Sequence, residues 1–375
     1  MDDMDEQEGG ARVEAPVFWA ALKAVPELGD RLLCRLLEQY RCPESIFALS
    51  EPALAAEGLK RRAVQAILDG SAVESGRAAC RQSLDMGLEL ISLEDYRYPA
   101  LLKEIYNPPI LIYADGNVEH FSRFGIAVIG SRRPSSYGRQ MTLRIAAGLA
   151  ERGVVVVSGM ARGLDSMAHR SVLETGGTTI AVLGSGHAMP YPPENRELMR
   201  KISENGCVVS EYPPEVPPLK QNFPARNRII SGLSKGVIVV EASEKSGSLI
   251  TASLALEQGR DVFAVAGNVT SPLSRGTNRL IKAGAVPVED AEDVLESVLP
   301  ELVVAPERKS PREEDLTGAE KNIISYIKEN GTCQINELCC SLEISVEEAL
   351  HYLLCLELKS MVRQMPGQHF EMKVI

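Results

Sequence analysis

Phe223, Arg226, Asn227 and Arg228 fall within six residues of one another in QNFPARNRIISGLS, residues 221–234. Their types suit a polyanion that carries stackable bases. Phe223 offers a ring face, Pro224 stiffens the approach, and the three following polar side chains bring donors to the N-terminus of the helix that IISGLS predicts, where free backbone N–H groups also favour phosphate. Lys220 stands two polar residues before the ring, so its ammonium and the phenyl face would reach successive nucleotides. Read alone, the segment is equally a helix-capping turn with surface arginines, or one in which Arg226 pairs with Glu211 or Glu215.

Other turns carry the same chemistry. AVIGSRRPSSYGRQ ends a β-branched run and puts Ser131 and Arg132 at a strand-to-helix turn. It is not a dinucleotide fingerprint, because arginines occupy the places where closely packed glycines would admit a pyrophosphate, and the chain has no G-x-x-x-x-G-K-[ST] loop. Arg132 can still grip a phosphate with two donors beside a helix start. Lys245, Ser246, Gly247 and Ser248 precede another predicted helix, a second phosphate-friendly start. Ser158 with Gly159, and Gly184 to Gly186, predict two further backbone notches. Ser158, Asp165 and His169 do not read as a catalytic triad: the last two are i and i+4 on one helix, a common stabilising pair, and Ser158 lacks a G-x-S-x-G elbow. Asn278 and Arg279 suit a structural role as well as contact.

The elements that must position these side chains follow from the hydrophobic pattern. GIAVIGS, VVVVSG, TTIAVLG, CVVSEY, GVIVVEA and DVFAVAG are short apolar runs without alternation, each followed by Gly, Ser or Pro and interspersed with helical segments. That pattern predicts strands covered on both faces, in a doubly wound α/β domain whose ligand lies at the carboxyl ends of its strands, where Ser131, Arg132, Ser158, Gly184 and Glu241 fall. The proline-rich stretch from Ser210 to Lys220 predicts a crossing over the sheet's edge. Ahead of it, residues 16–92 predict a small all-helical domain of short helices. VPELGDRLLCRLLEQY there resembles a degenerate helix-hairpin-helix of SAM-like type, with Glu27 and Asp30 in its turn favouring a structural role. The predicted organisation is an acidic disordered tail over 1–15, the helical domain over 16–92, the α/β domain over 93–300, a linker over 301–315 and three helices plus a hairpin over 316–375, a winged helix. That last segment holds five Lys or Arg against eight Asp or Glu, and its third helix carries Glu347, Glu348 and Glu357, which suits protein docking or packing better than a DNA groove.

Composition narrows the partners. Of 375 residues 45% are hydrophobic, no run of about 18 apolar residues occurs, and MDDMDEQEGG is acidic where a signal peptide would be basic, so a cytoplasmic protein without membrane insertion is expected. The eight cysteines form no C-x-x-C pair and predict reduced core thiols with no metal and no cofactor. A net charge of −11 argues against indiscriminate coating of nucleic acid. Between residues 123 and 245, however, sixteen Lys or Arg stand against ten Asp or Glu, leaving +6 there and −17 on the remainder. A confined basic surface on an acidic body is the expectation.

Taken in order, GSR, SGMARGLDSMAH, FPARNRIISGLS, EKSGSLITA with GRDVFAVAG, and GTNRLIKAGA resemble the DprA/Smf family of DNA-processing proteins over about residues 95–297. The resemblance implies an extended Rossmann-like domain that binds single-stranded DNA without sequence specificity, dimerises through that domain, protects incoming strands and loads the recombinase RecA in natural transformation. By motif it implies Arg132 on phosphate, Lys220 and Phe223 as a basic and stacking wall, Arg226 and Asn227 completing the pocket, and Ser246 to Ser248 closing it. AVAGN stands where the family usually has AVPG. Two other readings use similar elements. One is a nucleoside-monophosphate phosphoribohydrolase, whose PGGxGT loop this chain lacks and for which Glu241 and Glu244 are poorly framed. The other is a nucleotide sensor, which needs neither Phe223 nor Lys220.

Overall fold

In the computed structural model, residues 16–298, 317–342, 344–358, 362–365 and 369–372 are described. The chain divides into two compact units at residue 302.

The first unit opens with short helices α1 (residues 16–24), α2 (Asp30–Tyr40), α3 (Pro43–Phe47), α4 (Glu51–Ala56), α5 (Arg61–Leu68) and α6 (Ser71–Asp85). Pro43 and Pro52 sit in first turns, where the missing N–H is no loss, so these prolines start helices rather than break them. Trp19, Leu36, Ile46 and Leu54 close a core that also contains Leu111 and Tyr113 of the sheet. The helical segment is thus packed onto the sheet by a shared apolar layer.

The sheet has nine strands: β1 (Glu89–Ser92), β2 (Leu111–Gly116), β3 (Gly125–Ile129), β4 (Val155–Ser158), β5 (Thr179–Val182), β6 (Cys207–Ser210), β7 (Gly236–Val239), β8 (Asp261–Val265) and β9 (Val286–Val288). Their order is β1-β2-β6-β5-β4-β3-β7-β8-β9. From β6 to β9 all neighbours are parallel, while β1 with β2 and β2 with β6 are antiparallel. Every residue of β3 to β7 is buried, as unalternating apolar runs demand. Helices α7 (Ala100–Lys103), α8 (Ser136–Glu151), α9 (Leu164–Glu174), α10 (Arg196–Asn205), α11 (Asn222–Gly232), α12 (Gly247–Glu257), α13 (Arg275–Lys282) and α14 (Ala291–Val298) connect and follow these strands. The doubly wound α/β expectation holds, and all six predicted strands are present. β1, β2 and β9 were not foreseen, and β1 precedes the expected boundary at residue 93.

Strand order reverses at β3, with β4 on one side and β7, reached only after β6, on the other. The proline-rich stretch makes that long return. It does not round the sheet's edge: Gly186 N donates to Val216 O at 2.8 Å and Ala188 N to Pro214 O at 2.9 Å, so it runs across the carboxyl ends of the strands.

The second unit comprises α15 (Gly318–Asn330), α16 (Ile335–Leu342) and α17 (Val346–Leu358), with strands β10 (Cys333–Gln334), β11 (Val362–Met365) and β12 (His369–Met372) in the order β10-β12-β11. A capping box between Thr317 and Glu320 starts α15. Ile323, Leu338, Leu353 and Phe370 lie in its core. Among the described residues of the chain, no helix is long and apolar enough to cross a membrane.

Candidate functional site

A cleft of about 840 Å³ opens at the carboxyl ends of the strands where their order reverses. This is the crevice where doubly wound sheets hold ligands. The turn after β3, the first turn of α9, α11 and the start of α12 line it.

α11 supplies one wall and corrects the expected helix start. Rather than beginning at IISGLS, the helix begins at Asn222 and takes Phe223 and Pro224 into its first turn, where proline is tolerated. Arg226, Asn227 and Arg228 therefore lie in the helix body, and helical spacing sorts them. Phe223, Arg226, Asn227 and Ile230, at i, i+3, i+4 and i+7, form one face and all line the cleft. Arg228 is rotated off that face.

Its surroundings bear this out and overturn the placement of Arg228 among ligand-facing residues. The Arg228 guanidinium donates to both carboxylate oxygens of Glu211, at 2.9 and 2.8 Å, and through Nε to Asn107 O at 2.9 Å. Lys23 of α1 adds its ammonium 3.6 Å from Glu211. The partner foreseen for Arg226 belongs to Arg228 instead, and the cluster joins α1, the loop before β2 and α11.

Arg226 lines the floor but is only 3% exposed. Its Nη1 donates to Gly159 O at 2.8 Å and to Val182 O, while Nε has no hydrogen-bond partner among the described residues. Burial, against the attraction of Asp165, lowers its pKa to about 10, so it remains charged at neutral pH. A Cβ added to Gly159 would lie 2.8 Å from both Arg226 and Asp165, so only glycine lets the two approach there. Burial raises the pKa of Asp165, with Arg226 opposing. Asp165 accepts from Gly130 N at 3.4 Å rather than pairing with His169, whose Nδ1 is 2.7 Å from Thr179 Oγ1.

The predicted notches are filled from within. Arg226 occupies the one at Gly159. Phe223 packs on Gly184, where an added Cβ would stand 2.8 Å from ring Cδ1. Ser158 is fully buried and donates to Val128 O at 2.6 Å, leaving no nucleophile in the cleft at that position.

At the mouth the predicted residues do converge. Cζ of the exposed Arg132 lies 5.7 Å from the centroid of half-buried Phe223, a cation–π distance. Gly163, at φ +80°, allows this turn to pack on α9: a Cβ there would stand 2.3 Å from Ser131 O. Ser131 and Lys220 line the same cleft. Among the described residues neither Arg132 nor Lys220 has an ion pair, whereas Arg144, Arg152, Arg162, Arg200 and Arg228 do. The usable charge is thus narrower than the segment's excess of six. Ser246 caps α12 by accepting from Ser248 N at 3.3 Å, and Ser248 Oγ donates to Gly130 O at 3.0 Å, which ties that helix start to the first turn. Gly247 lines the cleft, while the exposed Lys245 does not.

Glu241 takes no part in the cleft: its carboxylate accepts from the N–H and hydroxyl of Ser135 at the start of α8. Asn278 is structural, bonding both polar backbone groups of Gly267. Tyr191 was missed. Its ring lines the cleft and meets Phe223 edge-on, with centroids 5.6 Å apart at 64°. Arg162 in turn lies 5.4 Å from the Tyr191 ring.

The Arg132 guanidinium thus stands beside the Phe223 ring, near helix starts, at the strand-order reversal. The family model described as DNA recombination-mediator protein A matches residues 89–299. The chain belongs to the DprA/Smf family. It is 44% identical over 218 residues to the DNA processing protein DprA of Bacillus subtilis, covering 58% of this chain and 73% of that one. To the Streptococcus pneumoniae DprA it is 47% identical over 204 residues, covering 54% and 72%. The X-ray structure of the latter superposes with a TM-score of 0.66 at 38% identity, over 74% of this chain and 96% of that one. A Helicobacter pylori DprA structure, described as giving insight into a single-stranded DNA binding mode, superposes at 0.52 with 32% identity, over 57% and 97%. Residues 319–369 match a second model, of FaeA-like proteins.

Proposed function

We propose that the protein binds single-stranded DNA without sequence preference in this cleft, shields incoming strands and loads RecA recombinase during DNA uptake, working in the cytoplasm as a homodimer through its Rossmann-like domain. The observation that carries the binding is the placement of Arg132 over Phe223 at the cleft mouth. A ring face accepts any base, and unpaired cations beside it accept the phosphates between bases, so affinity arises without reading base edges. Family membership and the single-stranded DNA described for the Helicobacter pylori relative support the same ligand. RecA loading and transformation rest on the family resemblance.

The protein acts as a binding module rather than an enzyme. Glu241 is engaged at α8 and Asp165 is buried against Arg226, which leaves neither as a catalytic base in the cleft. The three helices and small sheet of the second unit serve as a winged helix for protein docking. α17 bears Glu347, Glu348 and Glu357 and no Lys or Arg, which disfavours a duplex groove. The helices before β1 act as a structural, helix-hairpin-helix or SAM-like support.

Fluorescence anisotropy with labelled oligothymidine tests the binding. Affinity should fall as salt rises, through counterion release. Phe223→Ala should weaken it by about 1–3 kcal/mol. Equal affinity of wild type and variant, or binding indifferent to salt, would remove the cleft as the DNA site.

A further inference from the structure

We infer that Tyr191, backed by Arg162 and Glu194, builds a second base-stacking subsite next to Phe223, so that the cleft holds two unstacked nucleotides of one strand. The inference rests on the single-strand reading above and extends it to a neighbouring ring and its cation.

The two rings form the centre of a row with a cation at each end. Arg132 lies 5.7 Å from Phe223, the rings lie 5.6 Å apart, and Arg162 lies 5.4 Å from Tyr191. Tyr191 lines the cleft, and Arg162 lies against its ring without lining the cleft itself. Bases stacked on each other rise about 3.4 Å per nucleotide along a strand. The rings are farther apart than that and tilted by 64°, so bases seated on both cannot stack on each other and must each use their own ring. Proteins that bind single strands commonly splay bases onto aromatic faces in this way.

Arg162 is held ready rather than locked in place. Its Nη1 donates to Tyr191 Oη at 3.2 Å, and its Nε and Nη2 donate to the two carboxylate oxygens of Glu194, the latter at 3.1 Å. Both members of this pair are about half exposed. Such a pair contributes little to stability, so it explains poorly why a guanidinium is stacked on a cleft-lining ring. A phosphate on the outer side of the base at Tyr191 offers the same two-oxygen geometry as the carboxylate. On binding, Arg162 would exchange Glu194 for phosphate while remaining against Tyr191. Glu194 then acts as a competitor that weakens non-productive anion binding and sets the salt dependence of this subsite.

The test uses the full chain and labelled oligothymidine of graded length, titrated by anisotropy over a series of salt concentrations. Phe223→Ala should weaken binding at every length. Tyr191→Ala should weaken longer oligomers by about tenfold or more while leaving the shortest that still bind unchanged, and Tyr191→Phe should retain most of the affinity. Glu194→Gln, a surface change that does not threaten folding, should tighten binding severalfold at low salt and steepen the salt dependence. If Phe223→Ala weakens binding while Tyr191→Ala matches wild type at all lengths, or if Glu194→Gln binds no tighter, the second subsite is wrong and the cleft reading survives. If Phe223→Ala has no effect either, the single-strand site itself is elsewhere.

Discussion

The ring of Phe223 rests on the backbone of Gly184 so closely that no larger residue fits between them: an added Cβ would lie 2.8 Å from Cδ1 and 3.1 Å from Cε1. The turn after β5 thus serves as a plate that orients the ring. Gly184→Val should push the ring off its seat and lower oligothymidine affinity, while adding overpacking strain of about 1–3 kcal/mol. Anisotropy paired with urea unfolding separates the two effects, and an unchanged affinity in the folded variant would show that ring orientation does not matter.

Arg132 is exposed and, among the described residues, has no ion pair, so its role should appear in salt dependence more than in stability. Arg132→Ala should reduce the slope of log K against log salt by about 0.7, the value for one phosphate contact on a single strand. Its midpoint of thermal unfolding should match wild type. A salt slope equal to wild type would take Arg132 off the phosphate path.

Arg228 presents the opposite case. Removing its guanidinium takes the two-point partner from Glu211, whose side chain is 3% exposed, and leaves the Lys23 ammonium 3.6 Å away as a weaker counter-charge. Arg228→Ala should cost about 3–5 kcal/mol in urea unfolding, as for other broken buried pairs. The fraction that remains folded should bind oligothymidine as wild type does. A selective loss of binding with full stability would return Arg228 to the DNA surface.

Two buried histidines set the acid limit. Burial, with Arg226 and Arg170 adding to it, lowers the pKa of His169 from 6.5 to about 3, and burial lowers that of His187 to about 4. Above pH 6.5 both are neutral folded or unfolded and contribute no pH dependence. Below 6.5 the unfolded chain takes up protons that the folded chain refuses, so stability falls with pH until the folded values are reached. The loss should approach about 1.4 kcal/mol per pH unit for each histidine. Urea unfolding between pH 7 and 4 should show it, and His187→Gln should flatten the slope; an unaltered slope would mean that His187 is not the group responsible.

Much of this molecule was legible from residue pattern, and the exceptions have physical causes. The six central strands announced themselves because both faces are covered and polar alternation disappears. β9 reads V-P-V, too short and proline-bearing to stand out, and β1 and β2 form an antiparallel edge whose partners are set by tertiary packing. Ser131, Arg132, Lys220, Phe223, Asn227 and the start of α12 line one cleft, since turns after parallel strands share one end of the sheet. The error in α11 came from placing Pro224 in the approach to the helix, where its stiffness seemed useful, instead of in the first turn, where proline is tolerated. Once the helix starts at Asn222, the rotation of 100° per residue decides that Arg226 faces inward and Arg228 turns away, which no count of basic residues reveals. Tyr191 sits in a proline-rich turn with no periodicity to mark it, and only the approach of α11 shows what its ring meets.

A base of an unpaired strand should rest on Phe223 between Arg132 and the floor of the cleft. Photocrosslinking the full chain to an oligonucleotide bearing a single halogenated uracil, followed by mass spectrometry of the adduct, tests it most directly. The adduct should fall on the peptide containing Phe223, and excess unlabelled oligothymidine should compete it away. Adducts confined to the second unit, or to surfaces of the first unit outside the cleft, would contradict the account.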